Sequence, residues 1–239
     1  MDCIDMGKAK LCQGRAGQDA PLIYVIDSPE HPFATEPLAR NRTSSIVTIP
    51  VNDWNDALTP WPAPGLYRGE PDFGGHAAHT LARLTNELIP VFEQNEGLSP
   101  TARAICGYSL GGLFALYTLT HTSSFVACAC LSGSVWYEGW IEHLRELNLS
   151  LDGRYAYLSL GTKECRAARP ILKTVQDRME ACADILREAG AAVDYRTSPG
   201  NHLQHIPERL DAGLTALDSH LARLDAIPTS HVVEGGHQS

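Results

Sequence analysis

The sequence predicts an α/β fold, a largely parallel sheet covered by helices on both faces. Three features predict it. Short apolar runs alternate with stretches of helical periodicity along most of the chain. The apolar runs are nearly continuous rather than alternating, as strands buried on both faces require. One run leads through a G-x-S-x-G turn straight into an apolar helix pattern, the join found where a strand feeds a crossover helix.

In order along the chain, Leu22-Ile23-Tyr24-Val25-Ile26 reads as a strand ending at Asp27, and Ser45-Ile46-Val47-Thr48-Ile49 as a second ending at Pro50. Leu81, Leu84, Leu88 and Phe92 recur at helical spacing. Ala104-Ile105-Cys106 is a short strand, and Leu113 to Leu119 the helix after it. Val126 to Leu131 is the next strand, followed by a helix over Trp136 to Leu147. Tyr155 to Leu160 is a strand. Leu172, Val175, Met179, Ala183 and Leu186 then mark a helix opened by Pro170, a residue suited to a first helical turn. Val193 to Thr197 is the last strand, and Leu210, Leu214, Leu217 and Leu221 mark a final helix opened by Pro207. The expectation is one domain over residues 1–239, with about 1–20 and 228–239 peripheral or frayed.

Val51 to Gly75 interrupts this rhythm. It carries Trp54, Trp61, Pro60, Pro62, Pro64, Tyr67 and Phe73, too irregular for one element and too apolar for a plain surface loop. Long loops in compact domains are usually functional, and one that follows an early strand reaches the C-terminal edge of the sheet. Asp72-Phe73-Gly74-Gly75 reads as a turn into the next helix.

The chain has 239 residues, 44% of them hydrophobic and 20% charged, with a net charge of −9. This is ordinary globular composition with room for a sizeable core. No Lys/Arg cluster follows a phosphate backbone, so nucleic acid is not an expected partner, and a polyanionic substrate is disfavoured. Seven cysteines, an odd number without a C-x-x-C pair, fit a reducing cytosol better than secretion. The first residues, Met1-Asp2-Cys3-Ile4-Asp5-Met6, contain acids and no apolar stretch, and no run reaches membrane length, so a cytoplasmic protein with no membrane partner is expected. The two H-x-x-H pairs, His76/His79 and His202/His205, lack a third ligand at a useful spacing. No metal or other cofactor is therefore expected.

Gly107-Tyr108-Ser109-Leu110-Gly111 has the form of a nucleophile elbow and makes the expected architecture that of an α/β-hydrolase. A serine on a tight strand-to-helix turn projects its hydroxyl beyond the sheet. Side chains at positions 107 and 111 would strike the neighbouring strand and helix. The helix start favours negative charge, and the Leu110 amide points where an oxyanion would form. Serine needs a base, and this fold supplies partners in the order serine, acid, histidine. His202, in Ser198-Pro199-Gly200-Asn201-His202 after the last strand, is the candidate base, with Gly200 letting the loop turn toward the elbow; His205 competes. Glu164, after the preceding strand, is the candidate acid, with Asp177 or a bare Ser–His dyad as alternatives. A second oxyanion amide is expected from Asp53 or Trp54. Trp54, Trp136 and Tyr108 are candidate substrate contacts; Trp136, Tyr137 and Trp140 read equally well as core.

The segment Gly107 to Tyr117 resembles the elbow of the putative esterase family of α/β-hydrolases, which includes enterochelin-esterase-like and esterase-D-like members. Asp53-Trp54-Asn55, Pro60 to Pro64, Asp72 to Gly75, Leu131-Ser132-Gly133-Ser134-Val135-Trp136-Tyr137 and Gly200-Asn201-His202 are similar to a bacterial branch of it, over roughly Pro21 to Leu224. The resemblance implies Ser–His–acid hydrolysis of small-molecule esters at a shallow site without a large cap domain. Siderophore-cleaving members act on catecholate esters, but this chain lacks basic richness. It also has Gly161-Thr162-Lys163-Glu164 where relatives often have Gly-Asp-Lys-Glu. The reading is a serine carboxylic-ester hydrolase working through an acyl-enzyme. The alternatives are an acyltransferase with the same residues and a non-catalytic binding protein of this fold. Monomer and homo-oligomer stay open.

Overall fold

The computed structural model describes residues 8–226. Of the two ends expected to be peripheral, residues 1–7 and 228–239 lie outside that range. Among the described residues the sheet has seven strands: β1 (Lys10–Cys12), β2 (Leu22–Asp27), β3 (Ser45–Pro50), β4 (Arg103–Tyr108), β5 (Ala127–Leu131), β6 (Tyr155–Gly161) and β7 (Ala192–Ser198). Their order is β1-β3-β2-β4-β5-β6-β7. Only β1 runs antiparallel, as an edge strand on β3. This is the sheet of an α/β-hydrolase.

The continuous apolar runs become strands because both faces are covered. Leu22, Tyr24 and Ile26 point to one side and join Leu113, Phe114 and Leu116 in one core; Ile23 and Val25 point to the other and join Leu210, Leu214, Leu217 and Leu221. The first layer contains α3 (Ala77–Arg83), α4 (Ile89–Glu96), α5 (Leu110–His121), α6 (Trp140–Glu146) and α8 (Val175–Glu188). The second contains α1 (Thr35–Ala39) and α9 (Ile206–Asp225).

Three helices differ from the sequence expectation. The Leu81–Phe92 pattern is two helices joined by a π-helical turn, Leu84–Leu88, just before Pro90. The helix expected over Trp136 to Leu147 starts only at Trp140, because Gly139 adopts φ 78 and the residues before it form a turn at the mouth of the site. The helix begun at Pro170 is broken into α7 (Pro170–Lys173) and α8, with Thr174 between them donating its hydroxyl to the Ile171 carbonyl. A side chain that satisfies the local backbone in this way competes with helix continuation.

The 51–75 segment contains α2 (Trp54–Ala57) and a small antiparallel bridge between Ala63 and Phe73. It is anchored to the turn after β5: the Tyr137 hydroxyl donates to the Trp61 carbonyl, and the Trp61 indole N–H donates to the Glu138 carbonyl. Phe73 packs edge-on against Tyr137, 5.4 Å between ring centres. The loop therefore forms a wall beside the C-terminal edge of the sheet, where Leu66 and Tyr67 meet the cavity in front of Ser109. Among the described residues no large cap domain covers that edge.

Candidate active site

Ser109 has φ 59 and ψ −122, a backbone conformation that side chains rarely adopt. It is held there from both sides: its N–H donates to Leu131 at 3.0 Å, and its carbonyl accepts from Leu113 and Ser134 at 3.1 and 3.0 Å. Gly107 is required by the elbow itself. A Cβ there would lie 2.2 Å from the Gly111 carbonyl oxygen. At Gly111 the neighbour is instead the Trp54 indole, 3.1 Å from a would-be Cβ. Leu110 opens α5, so its N–H has no acceptor within the helix and faces the serine end.

His202 Nε2 lies 3.1 Å from Ser109 Oγ, and His202 Nδ1 lies 2.9 Å from Glu164 Oε2. A carboxylate can only accept, so Nδ1 carries the proton and Nε2 presents its lone pair to the serine. The other carboxylate oxygen, Oε1, accepts from Ser132 Oγ and Gly161 N–H, both at 2.7 Å, and from Arg209 at 3.3 Å. Burial pushes the Glu164 carboxyl upward. The hydrogen bond and charge of His202, with the bonds from Ser132 and Gly161, outweigh it, and the net shift is down.

Gly200, at φ 95, turns the last loop toward the elbow, as its sequence position suggested. Two ladder-like bonds tie that loop to the turn carrying Glu164: Thr162 N–H to Ser198 and Lys163 N–H to Gly200. His205 is directed elsewhere; it precedes α9 with φ 58, and its Nδ1 lies 3.6 Å from Glu208. Asp177 sits exposed in the first turn of α8 and has no part in the cluster.

Arg209 is a residue that the sequence reading missed. Its side chain is 1% exposed, and its guanidinium donates to Ser198 Oγ, Tyr108 Oη, Ser132 Oγ, Glu164 Oε1 and the carbonyls of Pro199 and Asn201. Tyr108, expected at the substrate, corrects to a supporting position. Its hydroxyl donates to the His202 carbonyl at 2.6 Å, its ring leans on the His202 imidazole, and it does not line the cavity. Ser134, also unanticipated, places its hydroxyl 3.4 Å from Ser109 Oγ.

In front of Ser109 is a cavity of about 310 Å³. Trp136 lines it; Tyr137 and Trp140 are buried core. Trp54 and Asp53 instead line a neighbouring cleft with Ser28, Glu30 and His31. Strand order explains this. β2 lies between β3 and β4, so the turn after β2, at Asp27 and Ser28, is one strand nearer the elbow than the turn carrying Asp53. The Ser28 N–H already donates to Asp27 Oδ1. Among the described residues no group of three or more His, Cys, Asp or Glu is arranged to hold a metal ion. His76 and His79 stand at the beginning of α3.

Residues 12–196 match the family described as "Putative esterase". The chain belongs to this family. Its chemistry is therefore that of a carboxylic-ester hydrolase, in agreement with the resemblance read from the sequence. It is 32% identical over 184 residues to "Uncharacterized protein YbbA" of Bacillus subtilis (strain 168), covering 73% of this chain and 74% of that protein. Among solved structures it is similar to an IroE-like serine hydrolase from Shewanella oneidensis, with a TM-score of 0.72, 19% identity, and coverage of 90% of this chain and 80% of that one. It is also similar to the siderophore hydrolase EstA of Aspergillus nidulans, with a TM-score of 0.67, 20% identity, and coverage of 89% and 94%. At these identities the structural likeness speaks for the fold. Among the described residues no helix is long and apolar enough to cross a membrane.

Proposed function

We propose that this chain hydrolyses small carboxylic esters through a Ser109–His202–Glu164 triad and an acyl-enzyme. The observation that carries the reading is the unbroken relay of contacts from Glu164 Oε2 through both imidazole nitrogens to Ser109 Oγ. Ser109 Oγ attacks the ester carbonyl while His202 Nε2 takes its proton. The tetrahedral oxyanion is held by the Leu110 N–H at the start of α5. As the intermediate collapses, Nε2–H protonates the leaving alkoxide and the alcohol departs. Water then attacks the acyl-enzyme with His202 again as base, the carboxylic acid leaves, and Ser109 regains its proton. Glu164 keeps the imidazole in the accepting tautomer and stabilises the imidazolium. Trp136 contributes to the wall that holds the substrate. We place the protein in the cytoplasm: the six described cysteines are all unpaired, and burial holds the Cys106, Cys128 and Cys182 thiols above their usual range.

The test is labelling with a fluorophosphonate, followed by mapping of the adduct. Wild type should carry it on Ser109, and Ser109→Ala and His202→Ala should carry none while remaining folded. An adduct elsewhere, or none on a folded wild type, would refute the triad and favour a binding role for the fold. Acyl transfer to an added alcohol in preference to water would move the reading to an acyltransferase.

A further inference from the structure

We infer that the acyl group accepted by this esterase is compact, apolar and uncharged: a medium-length or aryl-substituted alkanoyl group rather than a long chain or an anionic catecholate. This inference rests on Ser109 being the nucleophile. The cavity in front of Ser109 is walled by Leu66, Tyr67, Trp136, Leu172, Val175 and Leu203, contributed by four separate segments, with Ala167 between them. Among the described residues no lysine or arginine lines it. The lining residue with a formal negative charge is Glu164, whose side chain is 4% exposed and whose oxygens are committed to His202, Ser132, Gly161 and Arg209.

An anionic acyl group would thus lose its water without gaining a counter-charge, and it would lie near a carboxylate. Burying an unpaired charge is far costlier than burying apolar surface. The nearby Arg169 does not answer this need in the cavity lining; its guanidinium sits over the Tyr67 ring, 4.7 Å from the ring centre. The volume sets the size. At about 310 Å³ the space is at the small end of ligand sites and holds roughly ten water-sized groups. With the ester group and a hydrolytic water inside, room remains for an acyl chain of roughly four to eight carbons, or a phenylacetyl group.

The experiment is a series of p-nitrophenyl esters from acetyl to palmitoyl, with phenylacetyl, plus an isosteric pair: a hexanoyl-length chain with and without a terminal carboxylate. kcat/KM should peak at about four to eight carbons, and the terminal carboxylate should lower it at least about 100-fold. Ala167→Phe, which places a ring in the cavity, should move the peak to shorter chains; Trp136→Ala should move it to longer ones. A peak at palmitoyl, or equal use of the carboxylated ester, overturns the acyl assignment while leaving the nucleophile intact. Absence of turnover on every ester, together with no fluorophosphonate adduct on Ser109, overturns both.

Discussion

Replacing Glu164 by glutamine changes one atom, and the local network determines what that atom does. Three donors converge on Oε1: Ser132 Oγ, the Gly161 N–H and Arg209. An amide NH2 placed there would face all three, so the glutamine must keep its carbonyl oxygen at that position. Its NH2 then occupies the Oε2 position, 2.9 Å from His202 Nδ1. An NH2 can only donate, so Nδ1 must become the acceptor and the ring proton moves to Nε2. Nε2 is then unable to take the Ser109 proton. Turning the acid of a serine triad into its amide costs on the order of 10⁴ in kcat by this route, about 5 kcal/mol of barrier. KM should change little, since Glu164 is almost fully covered and its carboxylate is turned to its protein partners. The assay is steady-state hydrolysis of a short p-nitrophenyl ester, with near-UV circular dichroism as the check on folding. A folded Glu164→Gln enzyme within about tenfold of wild-type kcat would refute the tautomer argument and leave a Ser–His dyad.

Three other outcomes are expected. Gly107→Ala should cost more than about 3 kcal/mol, or at least about 6 °C in Tm, because the new Cβ meets backbone at 2.2 Å and neither strand nor helix can give way; thermal denaturation checks it. Asp27, at the end of β2, is raised by burial to about 6 despite the Phe33 and Ser28 N–H groups it accepts. A carboxyl raised above its unfolded value of about 3.9 adds stability that is complete below that pH and is lost as pH rises through about 6, on the order of 3 kcal/mol. Urea unfolding between these limits should therefore show a downward slope that Asp27→Asn flattens. Arg209→Lys keeps the charge but cannot reach six acceptors. kcat should fall at least about tenfold with KM nearly unchanged, and a wild-type pH–rate profile at wild-type kcat would argue that the guanidinium positions nothing.

The legible parts of the sequence were those governed by short-range rules. Apolar runs of strand length, the glycines flanking Ser109 and the chain order serine, acid, histidine each impose a local constraint. Ser109, Glu164 and His202 stand together because those constraints act within a few residues of each strand end. Strand order is a different kind of information. Nothing in Leu22–Asp27 or Ser45–Pro50 says which lies beside β4, so the sequence argument aimed the second oxyanion amide at the later turn without seeing that β2 intervenes. Likewise Trp136 to Glu138 has helix-compatible residues, yet Gly139 at φ 78 and tertiary bonds to Trp61 hold the segment as a turn. Tyr108 is expected at the substrate. On a strand, however, neighbouring side chains face opposite ways, and that sends its hydroxyl to the underside of the His202 loop.

Arg209 was invisible for a more instructive reason. In an amphipathic helix with Leu210, Leu214, Leu217 and Leu221 inside, an arginine just before the first leucine reads as solvated. Its burial depends on six acceptors drawn from β4, the turns after β5 and β6, and the end of β7 with the loop after it. Stability alone does not account for it. A buried charge must be desolvated, and well-packed apolar replacements of such groups are often as stable or more so. Its geometry does account for it. One planar cation fixes Glu164 Oε1, the Tyr108 hydroxyl at the end of the strand before Ser109, and two carbonyls of the loop carrying His202. An apolar side chain would fill the same space and leave those carbonyls without donors. The turns carrying Ser109, Glu164 and His202, the proposed catalytic residues, have no continuous backbone ladder between them beyond two bonds, Thr162 to Ser198 and Lys163 to Gly200. Their relative positions must hold to well under an ångström for proton transfer to work. Arg209 is placed to supply that constraint, which is why its loss should appear first in kcat and only second in Tm.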